Sequence, residues 1–228
     1  MALVSGHAAR TGRPLHRLDI VDTNPFISFA LHELLSERGA PIMPGLAGLR
    51  WETLAERWDF GRDLVLVQAH LHDVWPLAVK LRALARLGCR TLVIGDTAHE
   101  AMVARAIESG AVRVIHPESS LAELADSVEL AARGRSGWDD AQLALVARHP
   151  APHLSDRRLQ ICCLYAARLD FTTASIARLL GLSDHTVRSH IAAGRRIYRD
   201  AGRAVSDRAG LREALLDDGW FEPGLASQ

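Results

Sequence analysis

The sequence has almost no lysine, little cysteine and no long apolar run. Lys80 is the only lysine among 27 basic residues, which is typical of a GC-rich genome and leaves a single candidate for lysine chemistry. The 3 cysteines are an odd number and lie in apolar runs, which indicates reduced thiols rather than a disulfide framework. No apolar run approaches the roughly 18 residues of a membrane-spanning helix, and the first residues lack the apolar core of a signal peptide. We therefore expect a cytoplasmic protein with no membrane partner.

Net charge is also lacking, because 27 acidic residues balance the 27 basic ones. The total charge therefore indicates nothing about nucleic acid, and only the distribution of charge can do so. No glycine-rich phosphate-binding pattern follows a predicted strand, and no Ser-His-Asp or paired-carboxylate spacing stands out. We predict no catalytic residue, no cofactor and no metal, and we do not expect an enzyme.

Short apolar strands and amphipathic helices alternate over residues 16–133. The predicted strands cover 15–22, 41–43, 63–68, 91–95 and 111–115. The predicted helices cover 25–39, 51–58, 76–88, 98–110 and 119–134, and the first has Phe26, Phe29, Ala30, Leu34 and Leu35 at helical spacing. Strands that are apolar throughout indicate a parallel sheet with helices on both faces.

A change of pattern divides the chain into parts. Glycine, proline and polar residues flank a short apolar stretch in 134–152, which we predict to be a linker. Residues 1–15 form a tail, 16–133 the α/β domain and 153–228 an all-helical domain. The predicted helices of the second domain cover 155–168, 173–180, 184–199 and 207–218.

The segment FTTASIARLLGLSDHTVRSHI, residues 171–191, predicts a helix-turn-helix. Gly181 ends one helix, and Ser183 or Asp184 caps the next. On a helical wheel the core side of this last helix holds Val187, Ile191, Gly194 and Tyr198. Its opposite side holds Arg188, Ser189, Ala192, Arg195, Arg196 and Arg199. An arginine stripe broken by small residues suits the major groove of double-stranded DNA.

Residues 153–221 resemble the LuxR/FixJ-type DNA-binding domain. The spacing of Ser183, Thr186, Val187, Arg188 and His190 carries the resemblance, and residues 205–221 are similar to the family's fourth helix. The resemblance implies phosphate contacts from Thr186 and His190 and a homodimer formed partly through that fourth helix. The predicted DNA-binding set is Thr172, Thr186, Arg188, Ser189, His190, Ala192, Arg195, Arg196 and Arg199. Arg158, Thr173 and Ser175 depart from the family's usual residues, and additional residues separate His190 from Val205.

With that domain behind it, the α/β domain resembles the receiver domain of a response regulator. A receiver binds Mg²⁺ through two adjacent acids after the first strand, where this chain has Asp22 and Thr23. The resemblance places Gln68 where the phosphorylated aspartate stands, and Gly95, followed by Asp96, where a threonine or serine stands. The lysine that ends the fifth strand is missing, and Lys80 lies in another helix. We predict an atypical receiver that acts without aspartate phosphorylation.

Several side chains have two interpretations. His70, His72 and Asp73 either form a metal or ligand pocket with Asp22 and Asp96 or are solvated loop residues. Cys162 and Cys163 are either redox sensors or core residues. The third group, which either stacks an aromatic ligand or packs in the core, is Trp51, Trp58, Trp75 and Trp138.

Two function classes follow. The first is a DNA-binding transcription regulator that binds a two-fold site as a homodimer. The second is a small-molecule sensor or residual enzyme on the α/β domain, for which DNA binding is secondary.

Overall fold

The computed structural model describes residues 16–48, 50–56, 64–71, 73–167 and 171–221. The predicted tail of residues 1–15, Trp58, His72 and the end of the predicted helix 51–58 lie outside these ranges. No described helix has the length and apolar character that crossing a bilayer requires.

The first domain is a parallel sheet with helices on both faces, as the sequence predicts. Its strands are β1 (His16–Val21), β2 (Ile42–Gly48), β3 (Leu64–Gln68), β4 (Arg90–Ile94) and β5 (Ala111–Ile115). The strand order is β2-β1-β3-β4-β5, and every pair is parallel. Its helices are α1 (Pro25–Glu37), α2 (Trp51–Glu56), α3 (Leu77–Arg86), α4 (Glu100–Glu108) and α5 (Leu121–Ala132).

Side chains that alternate along β3 separate the two halves of the core. Leu64 and Leu66 pack with α1 and α5, whereas Val65 and Val67 pack with α2, α3 and α4. Successive residues of a strand point to opposite faces, so a strand that is apolar at every position is buried on both sides.

The apolar face that we predict for α1 is partly wrong. Phe26 and Phe29 are 78% and 69% exposed, and the helix buries Ser28, Leu31 and Leu35 instead. Asn24 caps the helix by accepting a hydrogen bond from the backbone N–H of Phe26. From that start, the 3.6-residue repeat turns positions 28, 31 and 35 toward the sheet.

The predicted linker contains a helix. Asp139 caps α6 (Asp140–Arg148) through a capping box with Gln142, and α6 packs against α4. Trp138 precedes it, and its Nε1 donates to the carbonyl of Ala111 at 2.9 Å. Most of residues 134–152 therefore belongs to the surface of the α/β domain, and the stretch that joins the domains begins after Arg148.

The second domain is helical. It contains α7 (Asp156–Ala167), α8 (Thr173–Leu180), α9 (Asp184–Asp200) and α10 (Arg208–Asp217). Its core includes Leu159, Ile176, Tyr198 and Leu211, all fully buried. The α3 residues Ala78 and Val79 belong to the same cluster, so the two domains share a packed boundary.

The segment after α10 completes that boundary. Gly219 packs on the backbone of Ala101 at the start of α4. The indole of Trp220 lies 5.4 Å from the guanidinium of Arg82 and 5.3 Å from that of Arg105, measured to the ring centroid. Nothing in the local pattern of the sequence identifies these long-range contacts.

Candidate functional site

The turn between α8 and α9 has the geometry that the sequence predicts. Thr172 caps α8 in a capping box with Ser175. Gly181 ends the helix with φ of 64°, a left-handed conformation that glycine adopts without a steric penalty. Ser183 then caps α9, since its hydroxyl accepts from the N–H of Thr186 at 3.0 Å.

The two sides of α9 differ as the wheel predicts. Its buried residues are Val187, Ile191, Gly194 and Tyr198. A Cβ on Gly194 would lie 2.5 Å from the sulfur of Cys162, so the glycine permits the close approach of α9 to α7. Its exposed residues include Arg188, Ser189, Ala192, Arg196 and Arg199.

The arginines of the stripe are not equivalent. Arg188 is 70% exposed and pairs with Asp184 one turn earlier at 2.7 Å. Arg196 is exposed and has no hydrogen-bond or ion-pair partner among the described residues. Arg199 donates to the carbonyl of Val205 at 3.2 Å, which ties the end of α9 to the following loop.

Arg195 departs most from the predicted stripe. It is half-buried, and its guanidinium lies 5.7 Å from the ring centroid of Tyr165 on α7. Its Nη2 donates to the hydroxyl of the same tyrosine at 3.4 Å. The Arg195 side chain therefore lies over α7, against the ring of Tyr165, although the wheel places it on the exposed side of α9. A helical wheel includes no residues of neighbouring helices, so it cannot predict this contact.

His190 and Thr186 lie at the first turns of α9 and are half-buried. Burial lowers the pKa of His190, and the charges of Arg158 and Arg157 lower it further. Both effects favour the neutral imidazole over the cation in the unbound protein. The hydroxyl of Thr186 lies 2.8 Å from that of Ser183, at the positive end of the helix.

Gln68, at the end of β3, is hydrogen-bonded to Thr23, which follows the neighbouring strand β1. Its Oε1 accepts from the backbone N–H of Thr23 at 3.0 Å and from the Thr23 hydroxyl at 2.6 Å. A neutral amide and a hydroxyl thus join the ends of β3 and β1. The resemblance to receivers predicts carboxylates that attract Mg²⁺ at these two positions, whereas here the amide and the hydroxyl satisfy each other.

We call the set Asp22, Thr23, Gln68, Gly95 and Asp96, which the receiver resemblance predicts to lie together, the altered pocket. Asp22 is 4% exposed; its Oδ1 accepts from Asn24 at 2.5 Å, and its Oδ2 has no partner among the described residues. Burial raises the pKa of Asp22. A Cβ on Gly95 would lie 3.1 Å from Met102, so a larger side chain would crowd α4. Asp96 accepts from the N–H of Ala98 within its own turn.

Asp73 is neither part of a metal cluster nor a solvated loop residue, the two interpretations that the sequence left open. It is buried rather than solvated, and its Oδ2 lies 2.6 Å from the Nζ of Lys80, which is 1% exposed. The ring of Trp51 lies 6.0 Å from the same ammonium. Within the described ranges, no cluster of His, Cys, Asp and Glu could hold a metal ion. The sequence offered one hint of this ion pair: the only lysine of the chain lies inside the amphipathic helix α3.

The cysteines have the character of core residues. Cys162 and Cys163 are buried between the helices of the second domain. Burial raises the pKa of Cys162 to about 12 and raises that of Cys163 as well, so both thiols stay protonated. Oxidation requires an accessible thiolate, and neither sulfur offers one.

Two of the tryptophans are also core residues. Trp51 packs in the core of the first domain, and Trp75 packs against both cores.

Comparisons with known proteins identify the fold. No family model and no curated protein matches the sequence. The response regulator RcsB from Salmonella enterica serovar Typhimurium, solved on promoter DNA with a beryllofluoride phosphomimetic, matches with a TM-score of 0.58 and 12% identity over 88% of this chain and 98% of that one. A second RcsB–promoter complex matches with a TM-score of 0.50 and 13% identity over 89% of this chain and 98% of that one. The chain therefore has the two-domain fold of a response regulator, with a five-stranded parallel sheet followed by a helical domain.

Proposed function

We propose that the protein is a DNA-binding transcription regulator whose α9 reads the major groove. One observation carries the proposal: α9 buries one side in the core and offers Arg188 and Arg196 around the small residues Ser189 and Ala192 on the other. Arginine reaches guanine edges or phosphates, and small residues permit close approach to the bases. The Ser183 side chain caps the N-terminus of the helix, and backbone hydrogen bonds of Ala201 close its C-terminus.

The likeness to RcsB supports the proposal at the level of the fold. RcsB was solved in complex with promoter DNA. The LuxR/FixJ-type motif around Ser183, Thr186 and His190 adds support from the sequence. By this motif, Thr186 and His190 contact phosphates. Thr172 caps α8 at the edge of the same surface. Arg195 and Arg199 have smaller parts because protein groups already hold them.

The regulator acts without aspartate phosphorylation. Gln68 has no carboxylate to accept a phosphoryl group, and its carbonyl oxygen is already engaged by Thr23. The only lysine is paired with Asp73 in the interior and cannot reach a phosphoryl group. The acceptor, the second acid and the lysine are thus all missing from the pocket.

The regulator binds as a homodimer on a two-fold site. A single recognition helix reads only a short half-site, and a second copy doubles the sequence that is read. The exposed side of α10 holds Ala209, Glu213 and Asp217, and its acids disfavour a close antiparallel contact on that side alone. We therefore assign part of the dimer contact to the α/β domain.

The alternative, a small-molecule sensor on the α/β domain, has one supporting feature at the altered pocket. A cavity of about 150 Å³ lies beside Asp22, between the start of α1 and the end of β2. The partnerless Oδ2 of Asp22 would favour a ligand that donates a hydrogen bond.

Replacing Arg188 by alanine should weaken binding to the specific site by about 1–3 kcal/mol, the usual value for a base-contacting arginine. Arg196→Ala should weaken binding to all sequences and reduce the salt slope by about 1, because one phosphate contact is lost. Sites are first selected from genomic DNA fragments with the full chain, and affinities are then measured by fluorescence anisotropy at several salt concentrations.

Arg133→Ala is the matched control for Arg188→Ala. Arg133 is also an exposed arginine paired with an acid four residues earlier, but it caps the C-terminus of α5 in the other domain. It should bind DNA as the wild type does. Unchanged affinity in both α9 variants would mean that another surface binds DNA.

Acetyl phosphate with Mg²⁺ should leave the intact mass of the protein unchanged. Gln68→Asp should restore the acceptor carboxylate without restoring a functional switch, because Thr23 and the missing lysine leave the added charge of about −1.5 to −2 without its usual partners. Mass spectrometry measures the modification, and anisotropy measures the DNA affinity. A gain of one phosphoryl group on an aspartate of the wild-type chain would contradict the proposed mode of action.

A further inference from the structure

An open cleft of about 620 Å³ lies between the two domains. We call it the interdomain cleft. Its walls come from α3, α4, the connection after α6, the start of α7 and the segment after α10. The residues that line it are Arg82, Arg86, Arg105, Glu108, Ala151, Pro152, His153, Ser155, Asp156 and Trp220. Its volume is in the range of small-molecule sites, about 300–1,000 Å³.

Positive charge exceeds negative charge in the cleft. Three guanidiniums face the carboxylates of Asp156 and Glu108. Asp156 lies between two of them: its Oδ1 is 2.9 Å from Nη1 of Arg82 and its Oδ2 is 2.9 Å from Nη1 of Arg86. Each guanidinium has five N–H donors, so both arginines retain donors beyond the contact with Asp156.

Arg105 adds a buried charge to the same wall. It is 3% exposed, pairs with Glu108 at 2.5 Å and donates to the carbonyl of His149. Its Nε is buried and has no hydrogen-bond partner among the described residues. Since that atom is inaccessible, Arg105 adds positive potential to the wall of the cleft rather than a direct contact to a ligand.

The N-terminus of α7 also favours an anion in the cleft. Ser155 and Asp156 lie at the N-terminus of this 12-residue helix, where backbone N–H groups and the helix dipole favour an anion. Asp156 now supplies that negative charge. Its carboxylate bridges two arginines, as a phosphate would, because guanidinium groups match carboxylate and phosphate oxygens equally well.

We propose that the interdomain cleft binds a small phosphate-bearing metabolite. The ligand's oxyanion takes the place of the Asp156 carboxylate between Arg82 and Arg86, and the rest of the ligand occupies the open volume beside His153. Asp156 holds α7 against α3, so its displacement loosens the contact between the domains. This site is separate from the altered pocket and from α9, and it does not depend on the proposed DNA binding.

Inorganic pyrophosphate tests the site on the full chain by isothermal titration calorimetry at constant ionic strength. We expect saturable binding that Arg86→Gln weakens about tenfold, the loss of one charge-assisted contact of roughly 1.4 kcal/mol. Arg86 is 68% exposed, so the variant should fold. Arg133, the residue that caps α5, is 63% exposed, and the Arg133→Gln variant should bind pyrophosphate as the wild type does.

Asp156→Asn separates this proposal from a purely structural role. An amide competes less for the two arginines, so pyrophosphate should bind about tenfold more tightly even though the domains are held together less firmly. Absence of saturable binding, equal effects of the two arginine variants, or weaker binding by Asp156→Asn would each overturn the proposal. If Arg86→Gln weakens binding to a DNA duplex as much as Arg196→Ala does, the cleft binds backbone phosphate instead, and the proposed small-molecule ligand is wrong.

Discussion

Replacing Lys80 by methionine should lower the free energy of unfolding by about 3–5 kcal/mol, the usual effect of removing one partner from a buried ion pair. Methionine keeps most of the volume of the side chain but leaves the Asp73 carboxylate buried without its counter-ion. Burial raises the pKa of Asp73 and lowers that of Lys80, and the attraction between the two charges opposes both shifts. Urea unfolding followed by far-UV circular dichroism measures the loss.

A second substitution should recover much of this stability. Asp73→Asn in the Lys80→Met background removes the uncompensated charge, and its amide oxygen can still accept from the N–H of Trp75, which lies 2.8 Å from Oδ1. Arg133→Met, at an exposed pair, should change stability by no more than about 0.5 kcal/mol. If Lys80→Met behaves like Arg133→Met, the pair contributes nothing to the fold.

Replacing Gly219 by alanine should release the C-terminal segment from α4 and separate the domains without unfolding either one. Gly219 ends α10 with φ of +73°, and a Cβ there would lie 2.3 Å from the carbonyl carbon of Ala101 and 2.4 Å from the nitrogen of Met102. Backbone atoms cannot move aside as a flexible side chain can. Trp220 should therefore leave its place between Arg82 and Arg105, and small-angle scattering should report a larger radius of gyration.

Gly202→Ala is the matched control, because Gly202 also follows a helix with positive φ, at +80°, but a Cβ there would meet nothing within 4 Å. Both variants have similar backbone strain, about 1 kcal/mol for alanine in place of glycine. Only Gly219→Ala should expand the molecule and raise the rate of proteolysis between Arg148 and Asp156. Equal expansion in the two variants would attribute the effect to strain rather than to the contact with α4.

The altered pocket and the boundary between the domains are connected by one loop. Asp73 lies in the loop after β3, and the next residue, Val74, accepts a hydrogen bond from Gln160 of α7 at 3.3 Å. Trp75 packs against both cores. The Asp73–Lys80 pair therefore holds in place a loop that touches the second domain.

Local patterns in the sequence were sufficient for the elements and for the sides of α9. Strand β5 begins and ends where we predict it, and the turn at Gly181 and the buried residues Val187, Ile191 and Tyr198 follow from helical periodicity and capping. Such features depend on residues within a few positions of one another, so the sequence carries them directly. The absence of an acid at Gln68 and of a second lysine is likewise a property of the sequence alone.

Contacts between distant residues were decided by the tertiary structure. The exposure of Phe26 and Phe29 follows from how α1 meets the sheet, and the position of Arg195 follows from Tyr165 on another helix. Lys80 of α3 pairs with Asp73 from the loop after β3, and Gly219 requires a bare Cα because the backbone of α4 lies against it. The sequence by itself determined which residues of α9 face the core and that position 68 carries no carboxylate. Packing determined which charges are buried, paired or exposed, because burial and pairing depend on groups brought together from far along the chain.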